Sequence, residues 1–196
     1  MEPEYQIEEE GFGTKLKNNI IELIEFVAIV FAILMAIRFF AAEPHKVSGS
    51  SMVPNFYDGD YIITNKLATR LNEPKRGEVI ILHDPLDINK VFIKRVIGLP
   101  GETIKIRGGA VYLNNQQLEE PYLPANLSTS GENFLKEDNE ITIPNGNYFV
   151  MGDNRDNSSD SRQWGYLKKD LIIGQAFLRY WPLDKATLIN IGIKSN

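Results

Sequence analysis

The run Val91-Phe-Ile-Lys-Arg-Val-Ile-Gly-Leu-Pro-Gly101 is rich in β-branched and aromatic residues and stops at Gly-Leu-Pro-Gly, the make-up of a strand closed by a turn. Side chains alternate along a strand, so Lys94 shares one face with Phe92 and Val96, and Arg95 shares the other with Val91, Ile93 and Ile97. Two cations therefore project from apolar surroundings, and they cannot respond alike. Arginine keeps its charge and needs a carboxylate partner. Lysine can shed its proton, because burial disfavours the ammonium, and a desolvated lysine is a usable general base near neutral pH. Taken alone, Lys94 reads more simply as a side chain whose stem covers apolar surface while its ammonium stays in water.

Outward from this run, short segments of the same character recur at 61–64, 78–82, 103–106, 111–113, 141–143, 148–151, 172–180 and 187–191, with Gly, Asn and Pro between them. Many short strands separated by turn residues predict a mainly β, antiparallel domain. Gly108-Gly109 has the chemistry of a tight hairpin turn. Residues 116–139 are rich in Glu, Asn, Ser and Pro without periodicity, and read as a long surface excursion.

The N-terminal part is different. Residues 20–42, IIELIEFVAIVFAILMAIRFFAA, are strongly apolar, follow Lys15 and Lys17, and are closed by Glu43-Pro44. As a helix they would extend about 34 Å, enough to cross the hydrocarbon core of a bilayer. Glu22, Glu25 and Arg38 lie toward the ends, where long side chains reach the interface. Lys15 and Lys17 are balanced by Arg38 and Lys46, so counting positive charge does not choose an orientation. The five glutamates within residues 1–14 account for the whole net charge of −5, leaving the remainder neutral. Without a basic stripe, nucleic acid is not an expected partner. The absence of cysteine excludes a disulfide framework, a thiol nucleophile and a cysteine-ligated zinc.

Two further segments carry candidate chemistry. Val47-Ser-Gly-Ser-Ser-Met-Val-Pro54 reads by itself as a plain turn of small residues, since a serine hydroxyl needs a base before it is a nucleophile. The two histidines, His45 and His83, sit in no triad pattern. Gly152-Asp-Asn-Arg-Asp-Asn-Ser-Ser-Asp-Ser-Arg-Gln-Trp-Gly165 is dense enough in polar groups to suggest a calcium loop. Counted from Asp153, however, the third, sixth and twelfth positions are Arg155, Ser158 and Trp164, and the EF-hand pattern fails. Asp and Arg so closely mixed predict an internally hydrogen-bonded loop that buttresses a site.

Read together, these segments resemble the type I signal peptidases, or leader peptidases. GSSMVP is similar to the nucleophile box, VFIKRVIGLPGE to the lysine box, and GDNRDNSSDSRQWG to the long downstream box, with GDYIITNK at 59–66 and KRGEVIILHDP at 75–85 in the same order and spacing. The resemblance implies a Ser-Lys dyad on a fold of two antiparallel sheets, with one N-terminal transmembrane helix and a small β-hairpin cap. It divides the chain into an acidic cytoplasmic tail (1–19), a membrane helix (20–42), a catalytic β domain (43–102 and 143–196) and an inserted cap or surface excursion (103–142).

The same resemblance implies the roles. Ser51 falls on the nucleophile and Lys94 on the base, Ser158 on a serine that orients the lysine amine, and Asp160 and Arg162 on a supporting salt bridge, with Asp153 in the same loop. The Ser51 backbone N–H would help hold the oxyanion. The second donor is open, because Gly49 stands where one branch of the family has a serine, and Gly49 or Ser50 could serve. Val47, Met52, Phe56, Phe92 and Ile93 fall on a substrate-binding wall that admits small side chains. Neither a cofactor nor a metal is implied. The implied substrates are signal peptides of secretory preproteins, cut after an A-x-A-like motif, and the bilayer is the implied partner, with the tail in the cytoplasm, the catalytic domain outside it and no obligate protein partner. A self-cleaving regulator with the same dyad and a catalytically dead tethered domain are the alternatives. The first is opposed by the apolar anchor and the lack of a DNA-binding part, the second by the intact Ser51, Lys94 and Ser158.

Overall fold

The computed structural model describes residues 12–189, without the side chains of 12–14 and 37–40. The acidic residues before 12 and the residues after 189 lie outside it. The chain divides into two compact units, with the boundary after Phe40.

The first unit is helix α1, Phe12–Phe40. Its stretch Lys15–Ala36 is long and apolar enough to cross a membrane. Its apolar side chains, such as Leu23, Phe26 and Phe31, are exposed. The helix ends two residues before the expected limit at 42, because Pro44 disfavours helical backbone in the residue before it and the chain turns extended.

The second unit is mainly β. Its strands are β1 (Ala42–Lys46), β2 (Tyr61–Asn65), β3 (Val79–Asp84), β4 (Asp87–Gly98), β5 (Thr103–Arg107), β6 (Ala110–Leu113), β7 (Gln116–Gln117), β8 (Glu140–Thr142), β9 (Asn147–Met151), β10 (Leu167–Lys168), β11 (Ile172–Trp181) and β12 (Thr187–Leu188). Two short helices, α2 (Lys66–Leu71) and α3 (Ser161–Trp164), interrupt them. The larger sheet has eight strands in the order β1-β2-β11-β3-β4-β9-β10, with β12 on β11, and the smaller has four in the order β7-β6-β5-β8. Every strand pair is antiparallel. Sequence reading missed β1, β7, β10 and both short helices. β1 carries Pro44, which an edge strand tolerates, and two-residue strands have no periodicity to find.

The opening run lies in β4 as far as Gly98. The strand is central, flanked by β3 and β9, so its residues from Ile93 onward are buried on both faces. Ile93 joins a cluster with Val47, Met52, Phe56, Ile62 and Ile81, and Val96 one with Ile80, Leu82 and Val150. The β5–β6 hairpin turns at Gly108-Gly109, whose φ values of 56° and 81° suit a two-residue turn of the primed type. The segment 103–142 packs directly on the larger sheet. Ile104, Ile106 and Val111 of the small sheet pack in one buried cluster with Ile97, Phe149 and Met151 of the large one. The excursion 116–139 is not wholly on the surface either: Leu135 is fully buried in that cluster and Thr129 is buried as well.

Candidate active site

β1 leads directly into the loop that carries Ser51. The Val47 N–H donates to Asp60 O at 2.8 Å and the Gly59 N–H to Val47 O at 3.0 Å, closing the loop at its base. Gly49 has φ +87°, a conformation that suits glycine, and its N–H donates to Asp58 Oδ1 at 2.9 Å. Val47, Met52 and Phe56 are buried in the cluster under the loop, so Ser51, half-buried, is held between apolar anchors. From the other side, Asn154 donates its backbone N–H to Ser51 O (3.0 Å) and its Nδ2 to Ser50 O (3.1 Å). Arg179 of β11 supports the far end, donating to Asn55 O at 2.9 Å and Asp60 Oδ2 at 3.2 Å.

Lys94 is 2% exposed. Its Nζ lies 2.8 Å from Ser51 Oγ and 3.0 Å from the Ile93 carbonyl oxygen, with the Phe92 ring centroid 5.0 Å away. Burial lowers its pKa from 10.5 to about 8, against the opposing pull of the Asp160 and Asp153 carboxylates. As an ammonium it donates to both oxygens. As a free amine its lone pair can receive the Ser51 hydroxyl proton, and at neutral pH a substantial minority of molecules are in that form.

The downstream loop surrounds this amine with neutralised carboxylates. Arg95, on the opposite face of β4 from Lys94, forms a bidentate pair with the fully buried Asp153 (Nε–Oδ1 2.8 Å, Nη2–Oδ2 2.6 Å). Arg162 does the same with Asp160 (Nε–Oδ1 2.9 Å, Nη2–Oδ2 2.8 Å), and Asp160 also accepts from the Gly152 N–H at 3.0 Å and caps α3 through the Arg162 N–H. A third buried arginine, Arg155, pairs with Glu120 and donates to Thr129 Oγ1. Tyr122 stacks on the Arg95 guanidinium at 4.0 Å, and Asn55 Nδ2 bridges Asp153 Oδ2 (2.8 Å) and Tyr122 O (2.9 Å). Buried charges of this kind persist only when paired and hydrogen-bonded. Sequence reading missed Arg155, Glu120, Tyr122 and Asn55. The available signals were a third arginine in the acidic run, which needs its own carboxylate, and isolated Tyr122 and Leu135 in an otherwise polar excursion.

Other candidates divide. Ser158 Oγ is buried beside the site but has no hydrogen-bond partner among the described residues, so the expected contact with the Lys94 amine is not made. A Cβ on Gly152 would stand 2.2 Å from Ser158 Oγ and 2.4 Å from Ser51 O, which fixes how closely these two segments approach. Gly49 is not a free oxyanion donor, since its N–H is committed to Asp58. The N–H groups of Ser50 and Ser51 have no acceptor among the described residues. Val47, Met52, Phe56 and Ile93 pack in one buried cluster, whereas Phe92, on the opposite side of β4, packs against the other cluster. Among the described residues no group of three or more acids and histidines could hold a metal ion.

A family model described as signal peptidase, peptidase S26, matches residues 20–181. A curated protein of Synechocystis sp., "Probable signal peptidase I-1", is 38% identical over 177 residues, covering 87% of this chain and 85% of its own. "Signal peptidase I T" of Bacillus subtilis is 38% identical over 165 residues, covering 81% and 84%. A crystal structure of a signal peptidase I from Enterococcus faecalis is 36% identical, covering 53% of this chain and 97% of that one, with a TM-score of 0.45.

Proposed function

Since the chain belongs to the signal peptidase family, peptidase S26, we propose that this membrane-anchored enzyme, which removes signal peptides, does so with Ser51 as nucleophile and Lys94 as general base. The observation that carries the assignment is the 2.8 Å approach of a buried lysine amine to a serine hydroxyl. In the acylation step the Ser51 proton passes to Lys94 Nζ as Oγ bonds to the scissile carbonyl carbon. The carbon–nitrogen bond then breaks, and the Lys94 ammonium returns the proton to the leaving amine. Lys94, again neutral, takes a proton from the water that attacks the ester and passes it to Ser51 Oγ as the acyl carbon–oxygen bond breaks, releasing the acid and restoring the serine.

The developing oxyanion is received by the Ser51 N–H, with Ser50 as second donor, since neither N–H has an acceptor among the described residues. A donor of this kind is commonly worth ~3 kcal/mol in the transition state. Ser158 orients the amine once substrate closes the site, which its unpartnered hydroxyl favours. The Arg95–Asp153 and Arg162–Asp160 pairs hold the loop rigid while balancing the acid charge that would re-protonate Lys94. The wall of Val47, Met52, Phe56 and Ile93 takes small side chains, so cleavage follows an A-x-A-like motif. The substrates are secretory preproteins, the segment before α1 is cytoplasmic, and the β domain works on the other side.

The test is a cleavage assay on a panel of preproteins by the full chain in detergent. Ser51→Ala and Lys94→Ala should each abolish processing, and Ser51→Cys should retain some activity that thiol reagents block. Wild-type rates from Lys94→Ala would refute the dyad. Labelling that put residue 165 in the cytoplasm would refute the orientation.

A further inference from the structure

A cavity of about 600 Å³, the size of a ligand site, opens on the larger sheet apart from Ser51 and Lys94. It is lined by both histidines of the chain, by Val91 of β4, and by Arg70 and Thr69 of α2. Along β1 and into Val47, the residue after it, Glu43, His45 and Val47 are at least partly buried, while the alternating Pro44 and Lys46 are exposed. On β4, Val91 and Ile93 share a face by the same alternation. Val47 and Ile93 form the wall beside the nucleophile, whereas Glu43, His45 and Val91 line the cavity. The wall therefore continues into the cavity one strand repeat further on, about 7 Å from it.

That spacing is also the repeat of an extended peptide, whose every second side chain faces the same way. A strand-like substrate with a small side chain against Val47 and Ile93 would carry its next same-side residues into the cavity. The order along the surface is Ser51, then the small-residue wall, then the cavity. Small residues immediately precede a signal-peptide cleavage site, so the cavity receives what lies further upstream.

The lining selects for hydrogen-bond acceptors. Lys66 is paired with Glu43 at 2.9 Å and Lys169 with Glu73, and Asp170 stands at the exposed rim. Arg70 has no carboxylate or hydrogen-bond partner among the described residues, and it offers five N–H donors and no acceptor. His45 adds a buried Nε2 that makes no hydrogen bond among the described residues and lies 4.0 Å from Glu43 Oε1. Val91, Ile172 and Ile173 supply apolar surface around these groups.

Resting on the proposed function, we infer that this cavity is a second substrate subsite, binding the polar peptide segment upstream of the small-residue motif through Arg70 and His45. It makes the enzyme a reader of more than the residues next to the scissile bond.

The test uses the full chain in detergent and two synthetic peptides with one A-x-A cleavage site, beginning four or eight residues before the scissile bond. Wild type should prefer the longer peptide in kcat/KM. Arg70→Ala should lower the long-to-short ratio about tenfold, the equivalent of one hydrogen bond to a charged group. Arg70→Lys should restore part of it, and Val91→Trp, at an exposed position that tolerates the ring, should lower it by filling the groove. Equal cleavage of the two peptides by wild type, or a ratio unchanged in all three variants, overturns the inference. So does an effect of Arg70→Ala seen only in vesicles containing anionic lipid, which would make the cavity a headgroup site. Cleavage of neither peptide, with wild type indistinguishable from Ser51→Ala, would strike down the proposed function and this inference with it.

Discussion

With Lys94 as the base proposed above, its burial makes the activity of this enzyme a titration. With a pKa of about 8, roughly a tenth of the molecules hold the free amine at pH 7, whereas at 10.5 only about one in 3,000 would, a gain of ~300-fold from desolvation. kcat/KM on a preprotein should therefore rise about tenfold per unit from pH 6 to 7.5 and level off above pH 9. The same group links folding to pH. Its folded pKa is depressed, so between about 8 and 10.5 the unfolded chain binds more protons and stability rises with pH; below about 8 the cost is fully present, and above 10.5 it has gone. The drop from 10.5 to about 8 corresponds to ~3 kcal/mol. Lys94→Met should thus be inactive yet more stable than wild type at pH 7, by up to ~3 kcal/mol, with the gap closing toward pH 10. The assays are initial rates from pH 6 to 10 and denaturant midpoints of both proteins at pH 7 and 10. A rate still climbing tenfold per unit between pH 9 and 10, or a stability gap identical at the two pH values, would refute a desolvated base.

Three further outcomes follow from the packing. Gly152→Ala should abolish cleavage and lower the melting temperature, because its Cβ would meet Ser158 Oγ at 2.2 Å and the Ser51 carbonyl oxygen at 2.4 Å. Ser158→Ala removes a buried hydroxyl that has no partner among the described residues, so thermal unfolding should show a gain of about 1 kcal/mol while kcat falls, the pairing expected where stability is given up for activity. Arg95→Met leaves Asp153 buried without its cation and should cost about 3–5 kcal/mol by chemical denaturation, with Arg95→Met combined with Asp153→Leu recovering much of it.

How much of this was legible before the structure differs by element. The β class was readable because strands such as 91–97 and 148–151 are continuous runs of β-branched and aromatic residues, and their observed bounds differ by a few residues. The positions of Lys94 and Arg95 on opposite faces followed from alternation alone. β1 was invisible, since Ala-Glu-Pro-His-Lys has neither periodicity nor β propensity and is a strand only because β2 pairs with it. The arginine network was half legible: a buried guanidinium demands a carboxylate, but which acid answers Arg155 is decided by a loop returning from Glu120, a long-range contact that no local pattern encodes. The unmade contact of Ser158 and the commitment of the Gly49 N–H to Asp58 are matters of ångströms and lie beyond any motif.

The single apolar cluster shared by the two sheets has a consequence for engineering. Because Ile104, Ile106, Val111 and Leu135 complete the packing of Ile97, Phe149 and Met151, the stretch between β4 and β9 cannot be excised as a cassette without opening a void under the strand that bears Lys94. Grafts and fusions belong instead at solvent-facing bends such as Pro124–Leu127, where lengthening the chain disturbs only a turn. The β domain should accordingly melt in one cooperative transition, with its smaller sheet gaining and losing order together with Ser51 and Lys94.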